Sequence, residues 1–323
     1  MTADPSRLID IATGYMASKT LFGAARVGLF QAVADGADTV EAAAAAIGRS
    51  QRQTRILLDG VHASGLMTRS NGRYALEADA RDYLTGGDLD LTPFLNFLEI
   101  GSFHSFDDHW RRTVDTDQGG AFDASDEAFM TAFMAGVMRY NALHAHWFAH
   151  EFPTEGRTRV LDFGGFTAGW SIELMRRNPD LTVTFAYPDS TALRADVEAA
   201  GLGGRVTFAD MPTETGVPGG NHDLVLAIHV IHRFSDPENR AILAHLRTSA
   251  RPGAKLAVFD FFHDTSSAQR DLDARHAAEY INFDGTVVWP EETVVSWLDE
   301  AGWSFEGYVP VPGSPRVLVA RAV

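Results

Sequence analysis

The run VLDFGGFTAGW at residues 160–170 breaks an apolar stretch at two glycines and then opens a helical pattern. Few features constrain a chain more, because a strand that turns directly into a helix is the entry to a strand–helix–strand unit with parallel strands. The texture repeats after it. Strand and helix patterns alternate over residues 158–163, 169–177, 181–186, 190–200, 205–209, 223–229, 236–250 and 255–261. Such alternation predicts a parallel sheet covered by helices on both faces. Further helices are expected at 268–281 and 291–301, with a closing antiparallel hairpin at 304–309 and 316–320. Glycine lets the backbone bend sharply and approach a ligand at a helix N-terminus, so Gly164 and Gly165 also mark a candidate cofactor cradle. Phe166 and Ala168 stand where a spaced-glycine loop carries no side chain, and the benzyl group of Phe166 is either a plug or the wall of a new pocket.

The segment before this sheet has a different period. Apolar residues from 8 to 34 recur with helical spacing, which predicts two or more helices. A short alanine-rich helix over 42–47 follows, then a second helix capped by Ser50 and running through Leu66. A hairpin over 68–76 turns at Asn71-Gly72. Helix, turn, helix and hairpin make a winged-helix pattern, which raises DNA binding through Arg52 and Arg55 on the second helix. Charge argues against that role. Residues 1–95 hold nine Lys and Arg against eleven Asp and Glu, without the basic footprint of a DNA reader. Net charge over all 323 residues is −16, which disfavours nucleic acid and anionic membranes as partners.

No cysteine is present, which removes disulfides, thiolate nucleophiles and cysteine metal sites, and no run approaches the length of a membrane span. A cytoplasmic protein is expected. Residues 96–150 are rich in aromatics and methionine and lie between the two textures, where binding sites often form. Phe133, Met134 and Met138 are substrate-pocket candidates there, with His229 from the sheet region; packing the core is the plainer role for such residues. The expected division is 1–95, 96–150 as a helical connector and pocket segment, and 151–323.

Gly65-Leu66, the glycine turn, Arg205-Val206, Val230-Ile231-His232, Pro252-Gly253 and Ala301-Gly302-Trp303 form a set spread over nearly the whole chain. In these residues the chain resembles the dimeric small-molecule O-methyltransferases that use S-adenosylmethionine, the caffeate-type plant enzymes and bacterial polyketide O-methyltransferases. The resemblance implies an α/β fold: a class I methyltransferase Rossmann-like doubly wound sheet, with a mostly helical winged-helix dimerisation domain before it. It also implies a homodimer and a small-molecule substrate. Against the family's turn, V-L-D-V-G-G-G-T-G, Phe166 and Ala168 replace two glycines. The acid expected at the end of the second strand, which accepts hydrogen bonds from ribose hydroxyls, falls on Ala186. Asp162 keeps the acidic place in the turn, Asp210 resembles the acid near the adenine, and Asp189 offers a carboxylate three residues past Ala186.

The family's proton-accepting histidine corresponds to His232, with Arg233 where an aspartate is usual. Imidazole suits proton transfer near neutral pH. Asp260 matches one acidic partner of that histidine, while the other falls near Val288. The departures concentrate at cofactor and catalytic positions. The reading they favour is a natural-product enzyme that no longer uses S-adenosylmethionine, with His232 as acid or base, Asp260 orienting it, Arg233 either a simple surface charge, the commoner outcome, or an anion-holding group at the substrate mouth, and cyclisation, rearrangement or dehydration as the reaction. One alternative is a conventional O-methyltransferase of a hydroxylated substrate. Another is a non-catalytic ligand-binding homologue. Twelve histidines, among them His144, His146, His150, His229, His232 and His263, raise metal binding with Asp260. No segment carries a metal signature, and no metal is expected.

Overall fold

A computed structural model describes residues 4–121, 123–165, 167–210, 219–263, 270–313 and 315–323. The chain forms two compact units, one of residues 1–104 with 123–140 and the other of residues 105–122 with 141–323. Residues 96–150 are therefore shared between both units. Phe166 lies outside the described residues, as does the side chain of Asp210.

The first unit opens with α1 (Ser6–Arg26), α2 (Leu29–Ala34), α3 (Val40–Ile47) and α4 (Gln51–Ala63). The Thr39 hydroxyl accepts the Ala42 N–H at the start of α3, and Ser50 with Gln53 forms a capping box on α4. Helix α4 stops three residues short of Leu66, because the chain must turn at Gly65 (φ +79°) into the hairpin β1 (Met67–Ser70) and β2 (Arg73–Leu76). Asn71 and Gly72 both take positive φ, which matches the twist of a two-residue hairpin. Leu29, Phe30, Leu58, Val61, Met67 and Tyr74 close the core of this winged-helix arrangement. Arg55, a candidate base reader, is instead paired with Asp59 at 2.6 Å on its own helix. Short helices α5 (Ala78–Tyr83) and α6 (Thr92–Phe97) follow, then a π turn at 98–102, α7 (Phe103–Thr116) and the long α8 (Glu127–Glu151).

The second unit is built on a seven-stranded sheet. Its strands are β3 (Arg159–Phe163), β4 (Thr182–Tyr187), β5 (Val206–Asp210), β6 (His222–Ile228), β7 (Ala250–Asp260), β8 (Trp303–Val309) and β9 (Arg316–Ala322). They lie in the order β5-β4-β3-β6-β7-β9-β8; the first five are parallel, and β9 runs antiparallel between β7 and β8. Helices α9 (Gly169–Arg177), α10 (Thr191–Ala199), α11 (Asp236–Ser249), α12 (Asp271–Phe283) and α13 (Glu291–Glu300) accompany it. Every residue of β6 is buried, as a strand covered on both faces requires. One face packs Trp170, Phe148 and Phe185, and the other packs Leu243, Leu246, Trp297 and Trp303.

Strand order reverses between β3 and β6. In open α/β sheets that reversal places a crevice at the carboxyl ends of the strands. At the opposite edge, the buried Asp223 carboxylate accepts the Thr158 N–H at 2.8 Å and the Arg159 N–H at 3.1 Å, which joins β6 to the start of β3. Among the described residues, no helix is long and apolar enough to cross a membrane. Asp223→Ala strips these two amides of their acceptor and is expected to lower stability by roughly 2–4 kcal/mol in denaturant unfolding. An unchanged midpoint would contradict this role.

Candidate functional site

The carboxyl ends of β3 and β4 open into a cleft of about 290 Å³ lined by Phe163, Gly164, Gly165, Tyr187, Pro188, Asp189, Ala192, Leu193, Arg233 and Phe234. The turn after β3 is tight for a visible reason. Gly164 has φ +77°, and a Cβ there would fall 2.9 Å from Val230 Cγ2; one on Gly165 would fall 3.0 Å from Tyr187 Oη. Bare backbone therefore faces the cleft. Arg233 donates from Nη2 to the Gly164 carbonyl at 2.6 Å, so its guanidinium sits on the turn and contributes positive charge to the cleft wall.

Asp162 braces the turn from behind. Its carboxylate is fully buried and accepts from Ser171 Oγ at 2.6 Å and Tyr187 Oη at 2.9 Å. Burial outweighs these bonds and lifts its pKa to about 6. Burial, and then the neighbouring Asp162, push the Tyr187 phenol well above its usual range. The Tyr187–Asp162 bond has no counterpart in the reading of the sequence. The pairing of Asp162 with Phe185 puts Tyr187 two residues further along β4, on the same face of the sheet as Phe185.

Two sequence departures look different in space. Ala168 is fully buried, and its methyl joins the core formed by Trp170, Leu174 and Phe148. It fills a helix–sheet contact, not the cleft, so its replacement of glycine leaves the cradle open. Ala186 is also fully buried, between Phe163 and Ala209 in register. It offers the cleft no acceptor. Asp189 does line the cleft and is exposed. The Thr191 side chain and backbone N–H hold its carboxyl below its usual pKa, with the N–H 2.8 Å away.

Beyond the cleft, a one-turn 3₁₀ helix at Ile231–Arg233 presents His232. Trp289 Nε1 and Asn239 Nδ2 each donate to the Ile231 carbonyl at 2.9 Å and fix this turn. His232 Nδ1 lies 2.9 Å from Asp260 Oδ2 and 3.1 Å from Oδ1, and the Phe261 N–H donates to Asp260 at 3.0 Å. Asp260 ends β7 and is fully buried. Burial alone raises its pKa, yet His232, His229 and the Phe261 N–H outweigh that and hold the carboxyl below its usual range. An ionised carboxylate only accepts, so Nδ1 of His232 carries the proton and Nε2 presents a lone pair. Tyr280, not anticipated from sequence, places its ring 4.8 Å from that of His232.

The other candidates have the following surroundings. Val288 is buried and brings no second carboxylate. Phe133, Met134 and Met138 belong to the first unit, where Phe133 packs edge-on against Phe97 at 5.3 Å. His146 and His150 lie ring to ring at 4.6 Å on α8, and the buried His144 packs against Phe259. His263 forms a bridge with Pro290.

Two family profiles match the chain: an O-methyltransferase dimerisation domain over residues 9–86 and a methyltransferase domain over residues 134–306. Among curated proteins, 3-hydroxy-5-methyl-1-naphthoate 3-O-methyltransferase of Streptomyces sahachiroi is 28% identical over 271 residues, covering 80% of this chain and 78% of that protein. Among solved structures, the pyocyanin biosynthetic protein PhzM superposes with a TM-score of 0.88 at 18% identity, covering 98% of both chains. The S-adenosylmethionine-dependent methyltransferase SibL, in its apo form, superposes with a TM-score of 0.85 at 24% identity, covering 99% of both.

The bracing of the turn by Asp162 has a pH signature. Between 3.8, its ordinary value, and about 6, the folded chain keeps a proton that the unfolded chain has released. Stability therefore falls as pH rises through that window and levels off above it. Relative to Asp162→Asn, the wild type is expected to lose on the order of 2–3 kcal/mol between about pH 4 and about pH 6 in denaturant unfolding. A pH-independent difference would contradict the assignment.

Proposed function

This chain belongs to the O-methyltransferase family in which a dimerisation domain precedes a methyltransferase domain, and from that premise we propose that it transfers a methyl group from S-adenosylmethionine to a hydroxyl of a small aromatic natural-product intermediate. The observation that carries the reading is the His232–Asp260 pair, 2.9 Å apart, one residue along the chain from the wall of the glycine cleft. This reverses the emphasis drawn from sequence, where loss of the cofactor was favoured. The named relative is an O-methyltransferase of a hydroxynaphthoate, and SibL is described as S-adenosylmethionine-dependent. By the same family membership, the chain works as a homodimer in solution.

The residues at the cleft fit an adenosyl cofactor in two respects. Bare backbone at Gly164 and Gly165 permits close approach, and the exposed Asp189 carboxylate stands ready to accept from ribose hydroxyls in place of Ala186. When bound, S-adenosylmethionine supplies an electrophilic methyl group. The chain's own part is proton management. Nε2 of His232 takes the proton of the substrate hydroxyl as the oxygen becomes nucleophilic. Asp260 holds Nδ1 and stabilises the imidazolium that results.

Two observations favour a second reading, in which the fold carries cofactor-independent acid–base chemistry such as cyclisation or dehydration. Ala186 provides no ribose acceptor, and the Arg233 guanidinium on the cleft wall opposes a sulfonium cation. Calorimetry with S-adenosylmethionine separates the two readings. Micromolar binding that weakens about tenfold in Asp189→Ala, the loss of one charged acceptor, is expected for the methyltransferase. Absence of binding at millimolar cofactor would support the second reading and overturn the first.

A further inference from the structure

His229 is not used by the proton transfer described above, and its surroundings are unusual. It follows β6 with a left-handed backbone, φ +52°, although it is not glycine. Its N–H donates to the Phe259 carbonyl at 3.0 Å, and its ring packs edge-on against Phe259 at 4.8 Å. The residue is only 9% exposed, yet among the described residues no group hydrogen-bonds either ring nitrogen. One potential ligand atom each from His229, His232 and Asp260 lie within 4.8 Å of one another.

We infer that His229, His232 and Asp260 form a binding site for a single divalent transition-metal ion. Two imidazole nitrogens and one carboxylate oxygen suit zinc, cobalt or ferrous iron and leave coordination positions open. Magnesium and calcium prefer all-oxygen shells and do not match this donor set. The 2.9 Å between His232 Nδ1 and Asp260 Oδ2 is close to the roughly 3 Å separating adjacent ligands around a metal with bonds of about 2.1 Å. His229 completes the set with a ring nitrogen within 4.8 Å of the other two ligand atoms. Among the described residues, Asp260, Arg233 and His276 are the charged or titratable groups that bear on His229 besides His232. Asp260 attracts the ion, Arg233 on the Gly164 carbonyl opposes it, and His276 is stacked on Phe261 and paired with Glu279. Affinity therefore comes from metal–imidazole bonding more than from net charge.

Occupancy has a chemical consequence. The ion displaces the Nδ1 proton of His232, and the neutral ring then carries its proton on Nε2. A histidine in that state cannot accept a proton from a hydroxyl, so metal binding silences the base. The site itself exists independently of whether the chain methylates anything.

The test is titration of the untagged, chelator-treated full-length protein with cobalt(II), followed by d–d absorption, and with zinc(II), followed by calorimetry; neither cofactor nor substrate is present. One ion per chain is expected. Asparagine tolerates a left-handed backbone, so His229→Asn keeps the fold. It is expected to weaken binding by at least roughly tenfold, as is the isosteric Asp260→Asn, while His146→Ala on the α8 pair leaves binding unchanged. No saturable binding, binding indifferent to both His229→Asn and Asp260→Asn, or binding lost in His146→Ala would each overturn the assignment. Failure here leaves the methyltransferase reading standing, because that reading needs no metal.

Discussion

The buried carboxylate of Asp260 is the interaction on which the site depends. It sits at the end of β7 with no exposure to solvent, and a charge there is tolerated only because His232 and the Phe261 N–H satisfy it. The strand sets where the carboxylate is, and the carboxylate sets which way the imidazole points. The 3₁₀ turn that carries His232 is fixed separately, through the Ile231 carbonyl bonded by Trp289 and Asn239. Two independent anchors leave the ring little freedom. Preorganisation of that kind is what proton transfer at a reacting hydroxyl requires.

A second buried carboxylate performs a comparable task two strands away in the sheet. Asp162 holds Ser171 at the start of α9 and Tyr187 at the end of β4, so the end of β3 is tied both to the helix after the glycine turn and to the neighbouring strand. The cleft and the dyad are thus built by acids at the carboxyl ends of β3 and β7, on either side of β6, near the reversal of strand order. Arg233 links the two regions, since it follows His232 in the chain and bonds the Gly164 carbonyl. The wall of the cleft and the His232–Asp260 pair thus share a single turn of chain.

Much of this was legible in the sequence, for reasons that differ by residue. Alternating strand and helix patterns over residues 158–261 sufficed for the parallel part of the sheet, because hydrophobic period and glycine placement are local signals. The pairing of His232 with Asp260 spans 28 residues and rested on resemblance; periodicity alone could not bring them together. Ala168 was misleading, since a glycine-to-alanine change reads the same in sequence whether its methyl enters the cleft or the core. Here it enters the core. The Tyr187–Asp162 bond and the left-handed backbone of His229 depend on geometry at strand ends, which no spacing rule supplies. Helix α4 ended earlier than its apolar pattern, because the left-handed Gly65 turn takes precedence over periodicity.

The central claim is that His232, oriented by Asp260, accepts the proton of a hydroxyl that receives a methyl group. The most direct measurement is transfer of radiolabelled methyl from S-adenosylmethionine to a panel of hydroxynaphthoates and hydroxybenzoates by wild type, His232→Ala and Asp260→Asn. The account predicts labelled ether from at least one phenol, with kcat reduced roughly 10²–10⁴-fold in His232→Ala and substantially in Asp260→Asn, while cofactor binding is retained. Methyl transfer that proceeds undiminished in His232→Ala would contradict it.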